Sequence, residues 1–148
     1  HGLIRVPLIW SDSLSHTNKI SKIQGSAIDF APTLLQKAGL KIPYGMQGRN
    51  LFASDVKNLP ILIEDSGYAM ASDDGQTGYC SIVHKHWRMT LFEGSELGEL
   101  FNLEVDPYEL SNLWFDSAAS SKKLELMHLL IDRQIALRSK SLAPTHQA

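Results

Sequence analysis

The chain has 148 residues, 43% of them hydrophobic and 20% charged, and 14 Lys and Arg against 16 Asp and Glu leave a net charge of −2. That mix belongs to a globular protein of one domain, or a core with a small appendage; a disordered chain would be less apolar. Nucleic-acid binding is disfavoured by the missing basic surplus, no apolar run approaches the ~20 residues that span a bilayer, and one cysteine makes neither an internal disulfide nor a cysteine-cluster metal site.

The chain opens His1-Gly2-Leu3-Ile4-Arg5-Val6 with no Met and no readable targeting segment. Val6-Pro7-Leu8-Ile9-Trp10 is a short apolar run that reads as a buried strand. A chain that begins almost inside a strand reads as cut from a longer one. Residues 11–19 are loop by composition. Residues 26–38 read as a helix, with Ser26 and Asp29 as a capping pair and Ile28, Ala31, Leu34, Leu35 and Ala38 at helical spacing. Pro32 is tolerated if it lies in the first turn, and Gly39 suits the stop position. Pro43, Gly45 and Gly48 mark a turn-rich connection.

From residue 60 the pattern becomes strand-like. Ile61-Leu62-Ile63, Tyr79 to Trp87, Met89 to Phe92 and Gly98 to Leu103 read as strands, with a turn at Asp73-Asp74-Gly75 and a hairpin at Glu93-Gly94-Ser95-Glu96. Asp106-Pro107 breaks the pattern. A last helix, capped by Ser117 or Ser120, is expected to run to about Arg138 on a stripe of Leu124, Met127, Leu130, Ile131 and Ile135. A frayed tail is expected over residues 139–148. The plan is mixed: one strand and helix, a linker, then a small antiparallel sheet and a long closing helix. A lone strand with one helix cannot complete a parallel layer, so residues 1–60 are expected to belong to a larger sheet.

Chemistry is sparse. Cys80 lies in a predicted strand with nothing local to lower its pKa, so it reads as a packing residue. No serine sits in a Gly-x-Ser-x-Gly elbow. His84-Lys85-His86 is the densest titratable cluster. In a continuous strand residues 84 and 86 would share a face and could ligate a metal, but a third ligand is missing and a solvated face is the simpler reading. Asp73-Asp74 reads as a turn rather than a cation site, Glu64-Asp65 closes a strand, and His128 is expected to flank the last helix's apolar face. Trp10, Trp87 and Trp114 read as core.

Three segments, in order, resemble the sulfatase family. Gly2-Leu3-Ile4-Arg5-Val6-Pro7-Leu8-Ile9 is similar to its GG-x-R-V-P segment. Asp29-Phe30-Ala31-Pro32-Thr33-Leu34-Leu35, Ala38-Gly39, Pro43 and Gly45-Met46-Gln47-Gly48-Arg49-Asn50-Leu51 are similar to D-x-A-P-T-L-L, A-G and P-x-G-x-x-G-R-S-L. Gly98-Glu99-Leu100-Phe101-Asn102-Leu103, Asp106-Pro107, Glu109 and Asn112-Leu113 are similar to G-E-L-Y-D-L, D-P-x-E and N-L. The resemblance runs from residue 2 to about 138.

It implies the end of an alkaline-phosphatase-like α/β domain over residues 1–60, then a C-terminal subdomain over 61–148 made of an antiparallel sheet and a helix. It also implies a parent that hydrolyses sulfuric esters of a small molecule or glycan, using calcium and a formylglycine made from Cys or Ser in C/S-x-P-S-R. The family places that machinery upstream of the R-V-P segment. Cys80 is followed by Ser81-Ile82-Val83-His84 and does not match, so no catalytic or metal-binding role is carried onto this chain, which is expected to be inactive alone. Arg5 and Arg49 are expected in structural pairs. Asp65, His84 and His86 are candidate substrate-facing positions. Two alternatives stand: a related phosphodiesterase or phosphonate hydrolase, and a non-catalytic binding or self-association module. The family is often periplasmic, secreted or lysosomal, and the sequence does not choose among these.

Overall fold

The computed structural model describes residues 4–11, 20–65, 71, 72, 75, 76 and 78–138, with backbone alone for 71, 72, 75 and 76. The expected loop at 12–19, Asp73 and Asp74 of the expected turn, and the tail 139–148 lie outside the described residues.

A short 3-10 turn, Ala27–Asp29, leads into helix α1, Phe30–Lys37. Pro32 falls in its first turn, where a missing N–H costs nothing, and Gly39 ends the helical stretch at φ +72°. Asp29 sits here as an anchor. Its carboxylate accepts from the Ser26 N–H (2.9 Å) and from the Arg49 N–H (2.9 Å), and the Arg49 guanidinium lies 3.6 Å away. Thr33 completes the clasp, donating to the Asp29 carbonyl at 2.6 Å and accepting from the Leu51 N–H at 3.0 Å. Asp29 and Thr33 are both buried, and these bonds offset their desolvation. Gly48 permits the close approach: a Cβ there would lie 2.1 Å from the Ile28 carbonyl oxygen. The aspartate, threonine, glycine and arginine of the shared motif are thus one structural unit.

The segment Val6–Trp10 departs from expectation. It forms no strand and is largely exposed; Val6 is 75% and Ile9 87% accessible. A strand exists only with a neighbour to hydrogen-bond, and no described segment pairs with it. Trp10 instead meets Phe52 edge-on, ring centroids 5.1 Å apart.

The sheet holds the core. Strands β1 (Ile61–Asp65), β4 (Tyr79–His84), β5 (Trp87–Phe92) and β6 (Gly98–Asn102) form an antiparallel sheet in the order β1-β4-β5-β6. The short strands β2 (Ala71–Ser72) and β3 (Gly75–Gln76) pair separately. The expected strand from Tyr79 to Trp87 is in fact two. The chain reverses at Lys85-His86, Lys85 adopts φ +55°, and His84 pairs with Trp87. His84 and His86 therefore do not share a strand face.

Strand alternation divides the sheet. One face carries Leu62, Cys80, Ile82, Trp87, Met89, Leu91 and Leu100 against the last helix. The helix α2, Ser120–Arg138, follows a 3-10 turn at Ser117–Ala119. Asp116, rather than either expected serine, caps this turn by accepting from the Ala118 N–H at 2.9 Å. The buried stripe is also displaced. Ala119, Leu126 and Leu130 enter the core, with Met127 and Leu129 partly buried against it, whereas Leu124, Ile131 and Ile135 face outward. Of the three tryptophans, Trp114 is buried in the core and Trp87 packs against it.

The β6 edge is closed by the D-P-x-E…N-L segment. The Asn112 side chain donates to the Gly98 carbonyl (2.9 Å) and accepts from the Leu100 N–H (3.0 Å), and the Leu113 N–H donates to the Leu100 carbonyl (2.8 Å). A side-chain amide thus mimics a further strand and removes an exposed edge. Trp114 then lies over Gly98, where a Cβ would meet three ring carbons at 2.7 Å.

Candidate functional site

The three residues expected to face substrate are separated. Asp65 ends β1 opposite Tyr79, and His84 ends β4 at the other extreme of that ladder. Five strand steps, roughly 16 Å, lie between them, and alternation puts their side chains on opposite faces. His86 is in the β4–β5 turn and exposed. The two histidines share one hairpin end; Asp65 is not with them.

Around Asp65 a shallow groove of about 470 Å³ is lined by Glu64, Tyr79, Cys80, Phe92 and Glu93 among others. Tyr79 and Phe92 stack obliquely across the ladder, centroids 6.5 Å apart. Cys80 lies on the core side. Burial, and secondarily the Glu64 charge, push its thiol up to about 11. Its sulfur sits 3.9 Å from Glu64 and 3.7 Å from the Gln134 amide, which also donates to Glu64 at 3.0 Å. A thiol so placed is protonated and poorly nucleophilic at neutral pH.

On the hairpin side, burial lowers the His84 pKa; Lys85 and Lys122 lower it further and Glu125 opposes them. Its Nδ1 is buried and has no hydrogen-bond partner among the described residues. Lys122 stands 5.9 Å from the Trp87 ring centroid and is paired with Glu125. The opposite sheet face carries a polar hub that the sequence alone did not flag. Arg88 binds Glu109, Glu99 (2.9 Å) and the Thr90 hydroxyl (2.7 Å), and Thr90 meets Ser81. Arg88 also lies over Phe101, 5.0 Å from the ring centroid. Burial works against ionised Glu109, but hydrogen bonds and positive charge, those of Arg88 among them, hold its carboxyl below the usual range. The signal available in the sequence was the D-P-x-E motif, whose glutamate this is.

The model of the family "N-sulphoglucosamine sulphohydrolase, C-terminal" matches residues 2–136. The chain belongs to this sulfatase C-terminal family. Arylsulfatase K of Xenopus laevis is 30% identical over 123 residues, covering 76% of this chain and 23% of that protein. Among solved structures, BT4656 in complex with its substrate D-glucosamine-2-N,6-O-disulfate superposes with a TM-score of 0.63 at 23% identity, over 84% of this chain and 27% of that one. BT1596, a 2-O GAG sulfatase, gives 0.66 at 22%, over 74% and 24%. The phosphonate monoester hydrolase of Agrobacterium radiobacter gives 0.58 at 19%, over 82% and 26%. The structural likenesses establish the alkaline-phosphatase-like fold context, and the chain spans about a quarter of the length of the relatives it matches.

The sulfatase family implies a divalent cation and a formylglycine. The residues described in this family member do not fit either. No three His, Cys, Asp or Glu side chains converge to hold a metal among the described residues. Cys80 lies within a strand, with a raised pKa and without the C-x-P-S-R context.

Proposed function

We propose that this chain is the C-terminal portion of a sulfatase-like hydrolase whose full-length parent cleaves sulfuric esters of a sugar or other small molecule. The family match across residues 2–136 carries the reading. In that reading residues 1–60 complete the large α/β domain and residues 61–148 form the subdomain packed on it. The core supports the division: the side chains of the cluster under α2 come from residues 62–130, while large apolar side chains are exposed in both parts, Val6, Leu8 and Ile9 in the first and Val105, Tyr108, Leu110 and Phe115 in the second. Calcium and the formylglycine belong to the parent's other residues, so the 148 residues alone do not turn over sulfate esters. The substrate is taken to be sulfated because of BT4656 and BT1596, which act on sulfated sugars by their descriptions. Asp65, beside Tyr79 and Phe92, is positioned to meet a sugar from the sheet end.

The test compares the 148-residue chain with a longer chain extended by its upstream reading frame, both assayed with calcium on an aryl sulfate. Turnover by the longer chain alone supports the reading; turnover by the 148 residues sinks it. A second reading, phosphonate monoester hydrolysis, draws on the Agrobacterium neighbour. An aryl phosphonate monoester in the same assay separates the two.

A further inference from the structure

His84 ends β4 and pairs with Trp87 across the turn made by Lys85 and His86. Its ring is half-buried, and Nδ1 is covered with no hydrogen-bond partner among the described residues. An unbonded Nδ1 fits the neutral tautomer that carries its proton on Nε2. The charges facing this ring come from two elements. Lys85 follows it in the turn, and α2, which packs on β4, brings Lys122 and Glu125 from its first turns. Glu125 is already held by Lys122. Two ammonium groups and one carboxylate thus leave the ring in a net positive surround before it takes a proton. Gln24 pins the turn from the first part of the chain, its side chain donating to the Lys85 carbonyl at 2.9 Å, so the turn is held beside the ring.

We propose that the junction of the β4–β5 turn with the first turns of α2 is acid-labile: a proton on His84 opens it while the core under Leu126 and Leu130 stays closed. Protonation puts an N–H on Nδ1, a covered donor that faces no acceptor among the described residues. It also adds a third cation to a cluster with one carboxylate. Opening the junction relieves both, because an exposed imidazolium is hydrated. Burial, then Lys85, hold the folded His84 below its ordinary 6.5; Lys122 adds to this and Glu125 opposes it. The closed junction is therefore fully favoured above pH 6.5 and loses stability as pH falls from 6.5 through the folded value. One linked proton limits the change in the opening equilibrium to about tenfold per pH unit. Ile82, Met89, Leu126 and Leu130, in the core beside the junction, carry no titrating group, so the opening stays local. The device is independent of the parent's substrate.

Amide hydrogen exchange of the 148-residue chain, corrected for the intrinsic pH dependence of exchange, is followed from about pH 7.5 to about pH 5. Opening at residues 84–87 and 121–125 is expected to rise below pH 6.5, by up to about tenfold per unit, while Met89 and Leu100 stay protected. His84→Gln, which cannot take the proton, is expected to abolish the rise. His86→Gln and His128→Gln alter exposed histidines on the same turn and the same helix and are expected to keep it. Lys122→Gln removes a repelling cation and is expected to reduce the rise; Glu125→Gln removes the carboxylate and is expected to enlarge it. In parallel, NMR titration of the unaltered chain is expected to place the His84 midpoint below 6.5, a readout that stands even where His84→Gln does not fold. No rise in acid, a rise shared equally by Met89 and Leu100, an equal rise in His84→Gln, its loss in His86→Gln or His128→Gln, opposite effects of the Lys122 and Glu125 variants, or a His84 midpoint at or above 6.5 would each overturn the proposal.

Discussion

At the scale of single residues, the motif positions explain themselves as packing and hydrogen bonding. Gly98 is required because Trp114 occupies the space where a Cβ would go. Gly98→Ala should cost about 1–3 kcal/mol through overpacking, read from chemical denaturation. Asn112 carries two bonds to the β6 edge, and Asn112→Ala, which strands the buried Gly98 carbonyl and Leu100 N–H, should cost about 2–3 kcal/mol. Cys80, with its thiol pushed up to about 11, should alkylate with iodoacetamide far more slowly at pH 8 in the native chain than in urea; equal rates would show that the thiol is neither buried nor perturbed.

Glu109 gives a pH dependence. Its carboxyl is held below the ordinary value of 4.5 in the folded chain. A depressed folded pKa contributes stability that is present above the unfolded pKa and is lost as pH falls through the folded value. Stability should therefore drop on acidification below about 4.5, and Glu109→Gln should flatten that limb while lowering stability at neutral pH. An unchanged acid limb in the variant would place the dependence elsewhere, for instance on Asp106, whose carboxyl is also lowered, by the Leu110 and Ser111 backbone N–H groups.

At the scale of elements, the last helix is the informative case. Its course over the described residues followed from composition and spacing, as did Met127 and Leu130 on its inner side, but Leu124, Ile131 and Ile135 do not turn inward. Leucines and isoleucines occur on both sides of α2, so periodicity alone admits two stripes. Tertiary packing adds Leu126, absent from the expected stripe, to Leu130 over Ile82, Met89 and Leu100. Leu126→Ala should cost about 2–5 kcal/mol, whereas Leu124→Ala should stay within about 0.5 kcal/mol. The reverse order would restore the stripe read from the sequence.

The hairpin at Lys85 escaped for a related reason. It has no Gly, Asn or Asp to announce a reversal, since Lys85 itself takes the positive φ. The sequence-level view of His84 and His86 as a same-face pair failed with it. By contrast, the helix at α1, the strand at β1 and the turn at Glu93-Gly94 carried their signals openly: an Asp29 clasp, an apolar run closed by carboxylates, and a glycine at φ +68°.

At the scale of the whole molecule, the described residues from 61 to 138 form a sheet, a covering helix and a capped edge. The first part has an anchored helix and leaves Val6, Ile9 and Ile20 in water, and the second leaves Val105, Tyr108, Leu110 and Phe115 exposed as well. Apolar surface of that extent marks a face built to be covered. The chain alone should therefore bind a hydrophobic dye and show concentration-dependent light scattering, and both should diminish when it is joined to its upstream sequence. The resemblance in the sequence reached the family correctly because its motifs are structural ones, spread over both parts. The same fact left the substrate contacts illegible: Asp65 and the two histidines carry no spacing that tells which face or end of the sheet they occupy.

The central claim is that these residues complete a sulfuric ester hydrolase without containing its reacting groups. The most direct measurement is hydrolysis of an aryl sulfate, with an aryl phosphonate monoester alongside, by the 148-residue chain and by the chain extended upstream of His1. The account predicts sulfate ester turnover by the extended chain and none by the 148 residues; turnover by the 148 residues alone, or a preference of the extended chain for the phosphonate, would contradict it.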